Sequence, residues 1–295
     1  MESGYLKGVL DFVVVGAQKS GTTWLHECFN DHPEILVPPE KEVHFFCPAG
    51  RCRYSSRNKG VDWYRSKFAK SGEFVAGESS TDYMFYDGVA EALYESNPQL
   101  KIIFLLRNPI DRAYSAYWMW RRHNTSLGPF EEVIGTYRSL LERGLYWRQI
   151  EPFVDLFGES QIRIEIYEEL FEFPSKTLKS LYEWLGVDSG YESLIATKKI
   201  GNTVVYPGVV GKFVYKGLTR IINMGVIQPL WRNIRKKTLL KERVISTIGK
   251  IFGKTEYPPI PPGIRKQIAP FFQEDNARLQ KYLKRVQPIW PDWRI

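Results

Sequence analysis

The run Gly16-Ala-Gln-Lys-Ser-Gly-Thr-Thr23 is the first place in the chain where residue types and spacing suggest chemistry. Small residues let a backbone wrap an anion. The N–H groups of a following helix then point at it with the favourable end of the helix dipole. Lys19 adds a full positive charge, and Thr22 and Thr23 add hydroxyl donors. In a Walker A loop the lysine stands directly before the metal-binding Ser or Thr. Here Thr22 follows Gly21 and the lysine comes earlier, at Lys19. That difference argues against a nucleotide kinase or NTPase, the main rival reading, which would depend on magnesium.

Glu42 and His44 form a second pair, within Lys41-Glu-Val-His-Phe-Phe46. On an extended segment their spacing places both side chains on one face. Spacing alone equally suits a solvated carboxylate and a core histidine. Arg107 is a third candidate, because it follows the apolar run Ile102–Leu106 at the end where α/β sheets bind ligands. Its planar fork suits a terminal phosphate, and Ser115 in the next helix supplies a hydroxyl. The alternative for Arg107 is a structural ion pair with Asp111, a role for which Arg112 is the better candidate.

These residues need elements to hold them. Asp11–Val15, Phe74–Ala76, Ile102–Leu106 and Ile162–Ile166 read as strands, the first feeding the glycine-punctuated loop. A continuous apolar run such as Ile102–Leu106 is typical of a parallel strand covered on both faces. Thr22–Asn30, Ile110–Arg122 and Ser175–Leu185 read as helices. Ile268, Phe271, Phe272, Leu279, Tyr282, Leu283 and Val286 make a further apolar stripe. The alternation predicts a P-loop-type α/β fold: one domain over residues 1–295, with a doubly wound parallel sheet flanked by helices. At 43% hydrophobic and 25% charged residues the chain can fill such a core.

The net charge of +8 is local, since 208–256 holds eleven Lys or Arg against two Glu and the rest is near neutral. That segment interleaves apolar and cationic residues. It reads as a helical basic insertion, either a substrate lid or a peripheral contact with anionic membranes. No motif for nucleic acid accompanies it. Cys28, Cys47 and Cys52 are sparse and odd in number, and lack the spacing of a zinc quartet. They read as reduced thiols, with a small bridge or half a metal site at Cys47 and Cys52 as the alternatives. No stretch of Met1–Leu10 reads as a secretory signal and no apolar run is long enough to span a bilayer. A cytoplasmic location follows, with membrane association through the basic segment as the variant.

Taken together, the motifs resemble the sulfotransferases that use 3′-phosphoadenosine-5′-phosphosulfate (PAPS). Gln18–Leu25 looks like their 5′-phosphosulfate loop, which would place Gln18, Lys19, Ser20, Gly21, Thr22 and Thr23 on the donor. Lys41–Phe46 is similar to the segment carrying the catalytic base in heparan sulfate O-sulfotransferases. Leu106-Arg-Asn-Pro-Ile-Asp-Arg-Ala-Tyr-Ser115 looks like their 3′-phosphate segment, and Tyr167-Glu-Glu-Leu170 resembles a Tyr-Glu-Asp-Leu signature. The resemblance implies sulfuryl transfer from PAPS to a hydroxyl, less readily an amine. Lys19 would sit at the bridging oxygen, with either Glu42 or His44 as base and no metal. It also implies stacking of Trp24 on adenine, Tyr167 nearby, and a closing loop carrying Lys199, Gly201 and Asn202.

Two departures separate the chain from the glycosaminoglycan enzymes. Ser79 stands where they carry a lysine after the glutamate, and no cysteine follows Cys52 to build their C-terminal disulfide loop. Both favour a small-molecule or lipid-linked acceptor over a heparan sulfate glycan. A non-catalytic membrane- or nucleic-acid-binding protein is the remaining alternative, and its function would survive loss of Glu42.

Overall fold

A computed structural model describes residues 5–68, 74–124, 126–197 and 257–293. They fall almost entirely in one of the chain's two compact units, Met1–Ile200 with Ile260–Ile295; the other is Gly201–Pro259. The basic segment 208–256 and the candidates Lys199, Gly201 and Asn202 lie outside the described residues.

Five parallel strands make the sheet: β1 (Phe12–Gly16), β2 (Ile35–Leu36), β3 (Val75–Ser79), β4 (Lys101–Leu106) and β5 (Ile162–Ile166), in the order β2-β3-β1-β4-β5. From β1 the chain runs to the edge strand β2 and returns to β3 on one side, then crosses past β1 to β4 and β5 on the other. The order therefore reverses between β1 and β4, the kind of switch point where such sheets bind ligands.

Alternate residues of the central strands feed two cores. Val13, Val15, Ile102, Phe104 and Leu106 pack on one face, with Phe45, Phe46 and Tyr64. Phe12, Val14, Ile103 and Leu105 pack on the other, with Trp24, Leu25 and Phe29. This two-sided cover is why β4 is apolar from Ile102 to Leu106. Truncating Leu105 to Ala would cost about 2–5 kcal/mol.

Helices α1 (Thr22–Asp31), α2 (Val61–Arg65) and α3 (Val89–Ser96) accompany the first half of the fold. After β4 come α4 (Pro109–His123), α5 (Phe130–Thr136), α6 (Ser139–Glu142) and α7 (Tyr146–Phe157). After β5 come α8 (Tyr167–Glu172) and α9 (Pro174–Leu185), and then α10 (Pro262–Ile268) and α11 (Gln273–Tyr282).

Two expectations change. The strand expected at Phe74–Ala76 runs past Gly77 to Ser79. Gly77 continues it rather than ending it, because a side chain there would meet the Phe12 ring at 2.2 Å. The C-terminal stripe is broken by a 3₁₀ turn at Ala269–Phe272. Phe272 and Leu279 are fully buried, whereas Val286 lies beyond α11 and is 90% exposed. Among the described residues no helix is long and apolar enough to cross a membrane.

Candidate active site

Because the strands are parallel, their C-terminal ends share one edge of the sheet. β1 opens there into the loop of Lys19, β3 into Ser80 and Thr81, β4 into Arg107, and β5 into Tyr167. Residues far apart in sequence are gathered by topology alone.

The loop after β1 turns on two left-handed residues, Lys19 (φ 72°) and Gly21 (φ 90°), and Gly21 caps α1. A Cβ on Gly21 would lie 3.0 Å from Phe171 and 3.2 Å from Tyr167, so a side chain would crowd both rings at a position whose φ already favours glycine. No acidic residue occupies the first turn of α1, leaving its N–H groups to an anion. Gln18 and Lys19 are half-buried, Ser20 and Thr22 buried, and Thr23 exposed.

Arg107 leaves β4 beside this loop. Its Nη1 donates to the Lys19 carbonyl at 3.4 Å, and its guanidinium lies 4.8 Å from the Tyr167 ring centre. The Tyr146 hydroxyl donates to the Arg107 carbonyl at 2.7 Å, fixing the backbone. Asn108 then caps α4, its Oδ1 accepting from the N–H groups of Ile110 (3.0 Å) and Asp111 (3.3 Å) with Pro109 at the first position. The cap sets the direction of the helix that carries Ser115, which is 8% exposed.

Asp111 pairs with Arg265 rather than Arg107. Arg112 is fully buried, donates to the Leu140 carbonyl, and is lowered by burial to about 10. It is structural, though through a carbonyl rather than an ion pair. Trp24 is 1% exposed and packs on Phe171 at 5.1 Å. In this arrangement it is a core side chain with Phe171 packed against it.

Glu42 and His44 do lie together, with His44 Nε2 3.7 Å from Glu42 Oε2. The expected reason was wrong. Their segment is not extended; both residues are left-handed, with φ of 67° and 55°. They meet because β3 and its loop hold them. Glu42 N–H donates to the Ser79 carbonyl (2.9 Å), and the carboxylate accepts from Thr81 N–H at 2.7 Å, from Thr81 Oγ1 and from Lys41 Nζ. His44 N–H donates to Ser80 Oγ at 3.0 Å. The imidazole stacks on Tyr54, with Nδ1 3.7 Å from Cys47 Sγ and 4.0 Å from Asp82 Oδ2. Asp82 Oδ1 is held in turn by Arg143 at 2.6 Å.

Two buried titratable neighbours of this pair were not singled out from sequence. Glu78 is fully buried at the end of β3, accepting from the hydroxyls of Tyr64 (2.6 Å), Tyr83 (2.9 Å) and Ser80 (2.9 Å). Burial outweighs these donors and raises its carboxyl to about 7. Ser80 therefore links Glu78 to the His44 backbone. His26, on α1, is 4% exposed and is lowered to about 4, first by burial and then by Lys41. It is neutral near pH 7. The signal for Glu78 was its place at a strand end within a polar run, Glu78–Asp82; His26 left none.

Residues 10–200 match the family model described as a sulfotransferase domain. The chain is 27% identical over 304 residues to mouse bifunctional heparan sulfate N-deacetylase/N-sulfotransferase 4, covering 96% of this chain and 31% of that protein. It is 26% identical over 188 residues to human heparan sulfate glucosamine 3-O-sulfotransferase 5, covering 59% of this chain and 53% of the relative. The chain thus spans about a third to a half of the length of these relatives. Among solved structures, a sulfotransferase from Alicyclobacillus acidocaldarius superposes with a TM-score of 0.68 at 25% identity, over 94% of this chain and 96% of that one. The sulfotransferase domain of the curacin biosynthetic pathway shares the fold, with a TM-score of 0.51 at 14% identity, over 94% and 98%. With the phosphate loop and Arg107 meeting at the switch point, and the domain match spanning every strand of the sheet, this chain belongs to the PAPS-dependent sulfotransferase family.

Proposed function

We propose that the protein transfers the sulfuryl group of PAPS to a hydroxyl acceptor, with Glu42 as general base. The observation that carries this reading is the clamp on Glu42. Thr81, Lys41 and the Ser79 carbonyl fix a half-buried carboxylate on the same edge of the sheet as the anion loop. His44 orients Glu42 and the acceptor. It is the poorer base, because it is 8% exposed and its Nδ1 is turned towards Cys47 and Asp82.

On the donor side, Lys19 and the N-terminus of α1 stabilise the charge that grows on the leaving phosphate oxygen. Arg107 and Ser115 take the 3′-phosphate, and the adenine lies against Tyr167 and Phe171. The residues fit such a ligand: the loop turns on left-handed Lys19 and Gly21, no carboxylate stands in the first turn of α1, and Tyr167 lies against the Arg107 fork. The acceptor's proton passes to Glu42 as the sulfur–oxygen bond forms and the bond to the bridging oxygen breaks. The heparan sulfate relatives favour a saccharide acceptor, and of the two the 3-O-sulfotransferase points to a hydroxyl whereas the N-sulfotransferase points to an amine. Ser79, buried in β3 in place of a lysine, favours a smaller acceptor than a charged glycosaminoglycan chain.

Thermal shift with the product bisphosphate, 3′-phosphoadenosine-5′-phosphate, tests the donor assignment. At about a hundredfold over its dissociation constant it should stabilise the chain by roughly 2.7 kcal/mol without added metal. Stabilisation by magnesium-ATP alone would overturn it. Sulfate transfer to a panel of saccharide, phenolic and amine acceptors then separates the acceptor classes.

A further inference from the structure

We propose a metal site at His44, Cys47 and Cys52, selective for a borderline-to-soft divalent ion of the zinc class and separate from the donor pocket. The three donor atoms lie within 4.8 Å of one another, and all three residues are buried. Tetrahedral zinc, with bonds of about 2.3 Å to sulfur and about 2.0 Å to nitrogen, sets sulfur and nitrogen roughly 3.6 Å apart. Cys47 Sγ and His44 Nδ1 are 3.7 Å apart. Closing the rest of the triangle needs shifts of about 1 Å or less at Cys52, at the end of a short loop.

Three further observations set this cluster apart from chance proximity of thiols. First, the histidine presents both nitrogens usefully. Nδ1 faces the sulfurs while Nε2 faces the Glu42 carboxylate at 3.7 Å, the arrangement by which carboxylates orient metal-ligating histidines. Second, Asp82 Oδ2 lies 4.0 Å from Nδ1 with its other oxygen tied to Arg143, placed to hold a water as the fourth ligand. Third, the loop is built in advance. Ser55 Oγ donates to the Cys47 carbonyl (2.6 Å), Ser56 Oγ to the Val43 carbonyl (2.7 Å), and Cys52 N–H to the Pro48 carbonyl (3.0 Å). Sequence alone offered Cys47 and Cys52 as half a metal site at most, and did not join His44 to them in the spacing His44-x2-Cys47-x4-Cys52, because the histidine belonged to another motif.

Binding releases one proton from each thiol. Two thiolates then balance the dication, so the buried cluster stays near neutral. The inference does not rest on the sulfuryl-transfer reading and survives its failure.

The test is metal binding by the full-length, untagged, reduced chain, with zinc and cobalt as probes. One zinc per chain should survive a desalting column, with proton release seen as a buffer-dependent binding enthalpy. Cobalt should give thiolate charge-transfer bands and the strong visible bands of a tetrahedral ion. Cys47→Ser and Cys52→Ser should each weaken zinc by more than the roughly 10–100-fold typical of losing an outer-shell partner, while Cys28→Ser should not. If the Cys47 or Cys52 variants fail to fold, X-ray absorption of the zinc-loaded natural chain decides, with two sulfurs and at least one imidazole expected. The proposal is overturned if the reduced chain retains no zinc, if the bound ion has only nitrogen and oxygen neighbours, or if Cys47 and Cys52 are joined in a disulfide under those reducing conditions.

Discussion

Around Lys19 the site is made mostly of backbone, and around Glu42 mostly of side chains. The proposed donor side holds the left-handed turns at Lys19 and Gly21, the N-terminus of α1 and the charge of Arg107. The proposed acceptor side holds the chain Tyr64 and Tyr83 to Glu78, Glu78 to Ser80, and Ser80 to the His44 backbone, with Thr81 bound to Glu42. Backbone binding tolerates side-chain change around it, provided the turn survives. A side-chain network transmits the loss of any member. Substitutions on the two sides should therefore fail differently, one in affinity and the other in rate.

The largest separation is expected from Glu42→Gln, which keeps the shape and removes the proton acceptor. Single-turnover sulfate transfer should slow by about 10²–10⁴-fold with donor affinity unchanged. His44→Ala should slow it less, as the orienting role proposed for the imidazole requires. A near-normal rate in Glu42→Gln beside an inactive His44→Ala would move the base to His44.

Arg107→Ala probes the other side. A charge-assisted contact of this kind costs about 2–5 kcal/mol when one partner is removed. Calorimetry should show weakened binding of the 3′,5′-bisphosphate and little change for the 5′-monophosphate, with α4 still capped by Asn108. Equal losses for both nucleotides would make Arg107 a scaffold residue for the loop instead.

The smallest effect is a pair of opposed pH dependences. Glu78 titrates near 7 when folded and near 4.5 otherwise. Between those values the folded chain keeps a proton that the unfolded chain has shed, so stability falls as pH rises. His26 is lowered from 6.5 to about 4, so here the unfolded chain binds the extra proton and stability rises across that window. Each shift is worth roughly 3 kcal/mol, and between about pH 4.5 and pH 6.5 the two cancel. Melting temperature in Glu78→Gln should therefore climb with pH over that range, and in His26→Gln should decline up to about pH 7. Parallel profiles for the natural chain and Glu78→Gln would remove Glu78 from this account.

The anion loop, the strand and helix around it, β4, β5, and the start of α4 at Asn108-Pro109 were legible because their causes are local. Apolar runs, caps and turn residues act over a few neighbours, and the one-residue displacement of Asp11–Val15 to Phe12–Gly16 is the usual uncertainty of element ends. Sequence also determined that Glu42 and His44 belong together, but not how. Their clamp joins residues 39 and 36 positions apart, Glu42 to Thr81 and His44 to Ser80. Only the parallel order β2-β3-β1-β4-β5 brings the ends of β3, β1 and β4 to one edge. The buried state of Glu78, the neutrality of His26 and the meeting of His44 with Cys47 and Cys52 were likewise decided by tertiary structure. Each depends on which surfaces are excluded from water, and that exclusion comes from packing between distant segments rather than from the pattern within any one of them.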